Sequence, residues 1–143
     1  TVKIGEESIV LAFPQTFMNS SGAAVSGLLK FYKIEPSRLI VLHDELDLDF
    51  GRLRMKLGGG DNGHNGLRSI RGALGHGDWL LVRLGIGRPP GQMDPAAYVL
   101  RAFNRDETAK LDDAIKALVQ IRDIQYTALK RAGENHGDPQ KTA

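Results

Sequence analysis

"GGGDNGHNGLRSI" fills residues 58–70, and its reading decides which fold surrounds it. Three glycines run into Asp61-Asn62-Gly63-His64-Asn65-Gly66, and apolar periodicity then predicts a helix from about Asn65 to Leu74. Gly58, Gly60 and Gly63 also fit G-x-G-x-x-G, the pattern of a dinucleotide cradle. That fold needs a strand before the glycines, a helix after them, and a carboxylate at the end of the next strand to hold a ribose. The first two conditions are met. The third is not. Asp78 has the right separation but precedes the strand "WLLVRLGIG" (79–87), which places it at the wrong end of the sheet. That strand ends in Gly85-Ile86-Gly87-Arg88 without a carboxylate. A phosphate-binding P-loop fails too, because no Lys-Ser or Lys-Thr follows the glycines. The glycines instead leave a bare backbone around His64-Asn65. An Asn at a loop–helix junction either caps the helix or turns its amide outward, offering one acceptor and two donors. The outward arrangement suits a carbonyl, an amide or a sugar hydroxyl.

Working outward, "VKIGEESIVLAFP" (2–14) predicts two short strands around Gly5-Glu6-Glu7, the second ended by Pro14. "NSSGAAVSGLLKFYKI" (19–34) has helical spacing at Val25, Leu28, Leu29 and Tyr32, with Ser20 or Ser21 as cap. "RLIVLHDELDL" (38–48) is an apolar run that stops at His43-Asp44-Glu45, as a buried strand does at a polar carboxyl end. "GRLRMKL" (51–57) alternates Arg52, Arg54 and Lys56 with Leu53, Met55 and Leu57, a half-buried strand with one basic face. "DPAAYVLRAF" (94–103) reads as a short helix. Residues 105–133 read as a long amphipathic helix, with Leu111, Ile115, Leu118, Ile121, Ile124 and Leu129 on its apolar side. Strands alternating with helices predict an α/β fold: one domain over 1–132, a mixed β-sheet flanked by helices, and a polar, disordered tail over 133–143.

Composition narrows the function. The chain has 143 residues, 41% of them hydrophobic and 25% charged, as expected of a globular domain. No apolar run reaches the ~18 residues of a membrane span. With no Cys, disulfides and thiolate metal sites are excluded. The net charge of +2 allows a polyanionic partner through a local basic patch. Aromatics at 6% are too few for a base-stacking sheet platform. The chain opens "TVKIGEES", straight into a strand, so a segment is expected to precede it.

Sites in α/β sheets collect at the carboxyl ends of strands. Three polar clusters follow strands here, "PQTFMNS", "HDELD" and "GGGDNGHNG", and they are expected to meet. Each residue also has a plainer reading. Asn19 sits where an N-cap would, Asp44 could cap a turn, Phe17 and Met18 could be core, and Arg52, Arg54 and Lys56 could be a solvated edge. His43 and His64 with Asp44 and Asp61 lack metal-ligand spacing, so hydrogen-bonded histidines are expected and no metal.

"PQTFMNSSG", "HDELDLDFG", "KLGGGDNGHNGLRSI" and "VRLGIGRPPG" occur in this order. Together they resemble bacterial peptidyl-tRNA hydrolase, over nearly all of the chain from Val2 to the long final helix. The resemblance implies an α/β fold with a mixed sheet and hydrolysis of the ester joining a peptide to the terminal ribose of tRNA. The tRNA is thereby recycled for translation. It implies a cytoplasmic monomer with no cofactor, no metal and no membrane, whose partner is tRNA carrying a peptide. Asp44 matches the carboxylate that orients and charges the catalytic histidine. Asn65 matches the amide holding the terminal nucleotide or the attacking water. Phe17, Met18 and Asn19 match substrate contacts, and His64 beside Asn65 is expected to join them. Lys56 and Arg83 match basic residues that grip a tRNA phosphate. Neither His43 nor His64 lies in the catalytic histidine's motif. That histidine belongs to a strand-loop-helix absent from these residues, so the chain alone is expected to be inactive. The final "KRAGENHGD" (130–138) departs from the family's closing pattern.

Ester hydrolysis needs an activated water, a held carbonyl and donors for the developing oxyanion. A His–Asp pair supplies the first, because the carboxylate fixes the tautomer and favours the imidazolium. Two alternatives stand beside this reading. One is a non-hydrolytic RNA-binding relative of the same fold; the other is a dinucleotide-binding oxidoreductase.

Overall fold

The computed structural model of the chain describes residues 1–117. The expectations at Leu118, Ile121, Ile124 and Leu129, the end of the long helix and the tail over 133–143 lie outside the described residues.

The chain opens in a hairpin. Strand β1 (Val2–Ile4) pairs antiparallel with β2 (Glu7–Ile9), and Gly5 takes the turn at φ 62°. The second strand does not run to Pro14, as the sequence suggested. It ends at Ile9, which pairs with Val2. A short 3-10 turn (Met18–Ser20) leads into α1 (Ser21–Tyr32), which ends at Lys33 in the left-handed conformation. Neither this turn nor a second one at Pro36–Arg38 was foreseen. Then follow β3 (Ile40–Glu45), β4 (Leu53–Leu57), α2 (Asn65–Leu74), β5 (Leu80–Gly85) and α3 (Pro95–Val99). Helix α3 is shorter than the 94–103 expected. A further helix starts at residue 105.

Strands β3, β5 and β4 form a sheet in that order. Leu80 donates to the Leu39 carbonyl and Ile86 to that of Glu45, so partners advance together and β3 and β5 are parallel. Gly58 donates to the Trp79 carbonyl and Gly85 to that of Arg52, so β5 and β4 run antiparallel. The sheet is therefore mixed, and with its flanking helices the fold is α/β.

Two compact units divide the chain: Thr1–Val41 with Met55–Leu81, and Leu42–Arg54 with Val82 onward. In the first, α2 turns Leu67, Ile70 and Leu74 inward at helical spacing, against Trp79, Leu81, Val25, Leu39 and Val41. Truncating Leu67 would cost about 2–5 kcal/mol, the usual range for a packed core leucine. Helix α1 crosses α2 closely because Gly22 has no side chain. A Cβ there would overlap the Ser69 carbonyl, and the Gly22 N–H donates to Ser69 Oγ at 2.9 Å.

In the second unit, the turn after β3 is tied to the end of β5. Ile86 donates to the Glu45 carbonyl at 3.0 Å and Gly87 to that of Leu48 at 2.9 Å. The buried Glu45 carboxylate accepts the Asp47 N–H, and Arg88 donates to Asp47 Oδ1 through Nε at 2.8 Å. Tyr98 is buried on α3 and donates its hydroxyl to the Ile86 carbonyl at 2.6 Å. Arg101 stacks over the Tyr98 ring at 4.6 Å and pairs with Glu107. Asn104 and Glu107 cap the helix that begins at residue 105 by exchanging side-chain and backbone hydrogen bonds, both at 2.9 Å. No helix among the described residues is long and apolar enough to cross a membrane.

Candidate functional site

The glycine segment is a scaffold before it is a site. Gly58 hangs it on β5 through the Trp79 carbonyl at 2.9 Å. Asp61 then organises the bend: its Oδ1 accepts the Gly63 N–H at 2.9 Å and its carbonyl accepts the His64 N–H at 2.8 Å. Asn62 and Gly63 both sit at positive φ, 48° and 78°, a conformation Asn and Gly tolerate. The Gly63 N–H, aided by Arg68 3.6 Å away, holds the Asp61 carboxyl below its ordinary range.

His64 completes the scaffold. Its Nδ1 accepts the N–H groups of Gly66 at 3.1 Å and Leu67 at 3.3 Å, which caps α2. The ring nitrogen used this way is unprotonated, so the neutral imidazole carries its proton on Nε2. Asn65 is thus the first residue of the helix and not its cap, and its side chain is exposed. The same cap disposes of the dinucleotide alternative. The N–H groups that would cradle a pyrophosphate are already occupied by an imidazole of the chain itself.

The 3-10 turn packs against this helix start. It is held by the Ser20 N–H on the Phe17 carbonyl at 2.9 Å and by Ser21 Oγ on the Met18 carbonyl at 2.8 Å. Met18 Sδ lies over Gly66, where a Cβ would come within 2.7 Å of it. Asn19 is exposed and is not the α1 cap; that position is Ser20, which makes no side-chain capping bond. Phe17 is 86% exposed, so a core role is ruled out for it within the described residues. The first unit therefore brings the Phe17–Asn19 turn and the His64–Asn65 helix start together, with two exposed amides and an exposed aromatic ring. Lys56 is exposed on β4, and the end of its side chain lies over Gly59.

The second unit holds Asp44 and Arg83. Asp44 is half-buried near the carboxyl end of β3 and lines an open cavity of about 130 Å³ with Phe50, Ile86, Tyr98, Arg101 and Phe103. The adjacent His43 is buried and donates Nδ1–H to the Asp44 carbonyl at 2.7 Å. Arg83 is half-buried, and its Nε meets no hydrogen-bond partner among the described residues. No group of three or more His, Cys, Asp or Glu side chains converges on a metal position among the described residues.

Sequence reasoning missed Gly66 as a contact surface for Met18, and Tyr98 and Arg71 as structural ties. The Gly-Leu pair after an Asn-capped pattern carried no mark of a close approach. Arg71 reads as an ordinary solvated residue in the last turn of a helix.

A family model described as peptidyl-tRNA hydrolase matches residues 1–141. The chain belongs to the peptidyl-tRNA hydrolase family. A peptidyl-tRNA hydrolase of Mycobacteroides abscessus is 57% identical over 128 residues, covering 85% of this chain and 65% of the relative. One from Frankia alni is 60% identical over 110 residues, covering 77% of this chain and 56% of the relative. The crystal structure of the Acinetobacter baumannii peptidyl-tRNA hydrolase superposes with a TM-score of 0.70 at 37% identity, over 83% of this chain and 61% of that one. The chain thus spans less than two-thirds of the length of these curated relatives. The α/β fold and mixed sheet seen here agree with that structural neighbour.

Proposed function

We propose that the protein containing this chain hydrolyses the ester between a peptide and the terminal ribose of tRNA, and so returns tRNA to translation. The observation that carries this reading is the packing of Met18 on Gly66, which sets the exposed amides of Asn19 and Asn65 on two elements in contact. Amides offer donors and acceptors together, which suits a substrate that joins a sugar hydroxyl pattern to a peptide carbonyl. Asn65 holds the terminal nucleotide or the attacking water, Asn19 holds the peptide side, and Phe17, Met18 and His64 complete the contact. Asp44 orients and charges a histidine general base. His64 is not that base, because its Nδ1 accepts the helix N–H groups and its Nε2 carries the proton; His43 lies outside the motif that carries the base in the family this sequence resembles. Lys56 and Arg83 meet phosphate. The protein works as a cytoplasmic monomer without metal or cofactor.

The test is release of an N-blocked aminoacyl group from tRNA, measured on the protein as its gene encodes it. Asp44→Asn is expected to lower kcat by roughly 100-fold or more while tRNA affinity stays within about twofold, as for loss of a base-orienting carboxylate. Equal losses of turnover and binding would refute the orienting role. Tight tRNA binding with no ester cleavage by the unaltered protein would instead identify a non-hydrolytic RNA-binding relative.

A further inference from the structure

Gly59 is held from one side and covered from the other. In the last turn of α2, the half-buried Arg71 donates a guanidinium N–H to the Gly59 carbonyl. The same guanidinium lies along Gly77, where a Cβ would come within 2.6 Å of Nη2, 3.1 Å of Cζ and 3.2 Å of Nε. Only a bare residue at Gly77 leaves room for it. Lys56 approaches Gly59 separately: a Cβ on Gly59 would lie 2.9 Å from both Cε and Nζ of Lys56. Gly59 itself sits at φ 110°, which side-chain-bearing residues rarely adopt. Its peptide is therefore a bare plate, fixed by Arg71 and carrying the end of Lys56.

We infer that Arg71 is a positioning residue for substrate binding: it fixes the Gly59 peptide so that the Lys56 ammonium is seated for a phosphate. A lysine on a four-carbon stem samples many rotamers, and ordering it costs up to about 2 kcal/mol of side-chain entropy. A fixed surface beneath the stem lowers that cost before the tRNA arrives. Arg71 suits the task better than Lys, because its planar fork bonds the carbonyl while its face lies on Gly77. The inference rests on the proposed phosphate contact of Lys56 and adds a residue that never touches the nucleic acid.

The test is the salt dependence of tRNA affinity, measured on the protein as encoded, for Lys56→Ala, Arg71→Gln, Gly59→Ala and the Lys56→Ala/Arg71→Gln double variant. One lost phosphate contact flattens the slope of log K against log salt by about 0.7–0.9. Lys56→Ala is expected to show that change, and Arg71→Gln most of it. The double variant should be no flatter than Lys56→Ala alone, since both act through one contact. Gly59→Ala, which keeps both charges, should also flatten the slope by displacing Lys56. An unchanged slope in Arg71→Gln would overturn the inference, as would slope losses that add in the double variant, for then Arg71 acts on its own. An unchanged slope in Lys56→Ala would instead remove the phosphate contact itself and, with it, the reason for the clamp.

Discussion

The Nδ1 atom of His64 accepts the Gly66 backbone N–H at 3.1 Å, and this bond makes the histidine the helix cap and leaves the adjacent Asn65 amide exposed. His64 caps; Asn65 is released.

Two neighbouring substitutions should therefore behave in opposite ways. His64→Ala removes the cap of α2 and is expected to cost about 0.5–2 kcal/mol in denaturant unfolding, with His64→Asn recovering most of it. Asn65→Ala should stay within about 0.5 kcal/mol of the parent in unfolding and lose turnover instead. A large stability loss in Asn65→Ala would mean that its amide is structural.

Gly66→Ala places a methyl where Met18 Sδ now sits, with the His64 ring 3.0 Å from it on the other side. Overfilling of this kind costs about 1–3 kcal/mol. Because a thioether is the far end of a flexible side chain, Met18→Ala in the same chain should restore part of the loss. A thermal-denaturation double-mutant cycle measures the coupling, and strict additivity would show that the two residues do not meet.

Acid should loosen the bend at Asp61. The Gly63 N–H and Arg68 favour the carboxylate, so the folded pKa lies below the ordinary value of 3.8. Stabilisation from a depressed carboxyl is complete above the unfolded pKa and disappears as pH falls through the folded one. Gly63 amide protection in hydrogen exchange is thus expected to persist at pH 5 and to fall off below about pH 4, while Asp61→Asn shows no such step.

Gly85→Ala should be among the most damaging changes in the second unit. Its Cβ would overlap the Asp49 carbonyl and lie 2.7 Å from Leu48 Cβ and 2.8 Å from the Leu48 carbonyl. Two of these three obstacles are backbone, so the turn that follows Asp44 must shift. A loss of about 3 kcal/mol in urea unfolding is expected, without rescue by Leu48→Ala.

Local pattern was well recorded in the sequence. The limits of α2 followed from its glycine flanks and its Leu67, Ile70, Leu74 spacing, and β3 stopped at the polar cluster that closes its apolar run. Pairing between distant segments was not recorded. Nothing in residues 40–45 says that β3 lies beside β5 and not beside β4, since that choice depends on how α2 covers Leu39, Val41 and Leu81. The candidate site divides in the same way. Side chains offered at loop ends, such as Asn19 and Asn65, stood out by type and position. The supports beneath them did not, because Gly66, Gly77 and Arg71 act through close approach, and closeness has no local signature. The histidine cap was not legible for a related reason: Asn is the usual capping type, but the bend at Asp61 brings the histidine ring to the helix amides.

The parallel pairing of β3 with β5 has a consequence for synthesis. As the polypeptide leaves the ribosome, β3 emerges long before its partner, and the glycine bend and α2 must follow before the ladder can close. During that interval Ile40, Val41 and Leu42 have no sheet neighbour from their own chain on the β5 side. A nascent chain stalled between residues 57 and 79 should therefore bind a hydrophobic-strand holdase, and one released past residue 86 should bind it less.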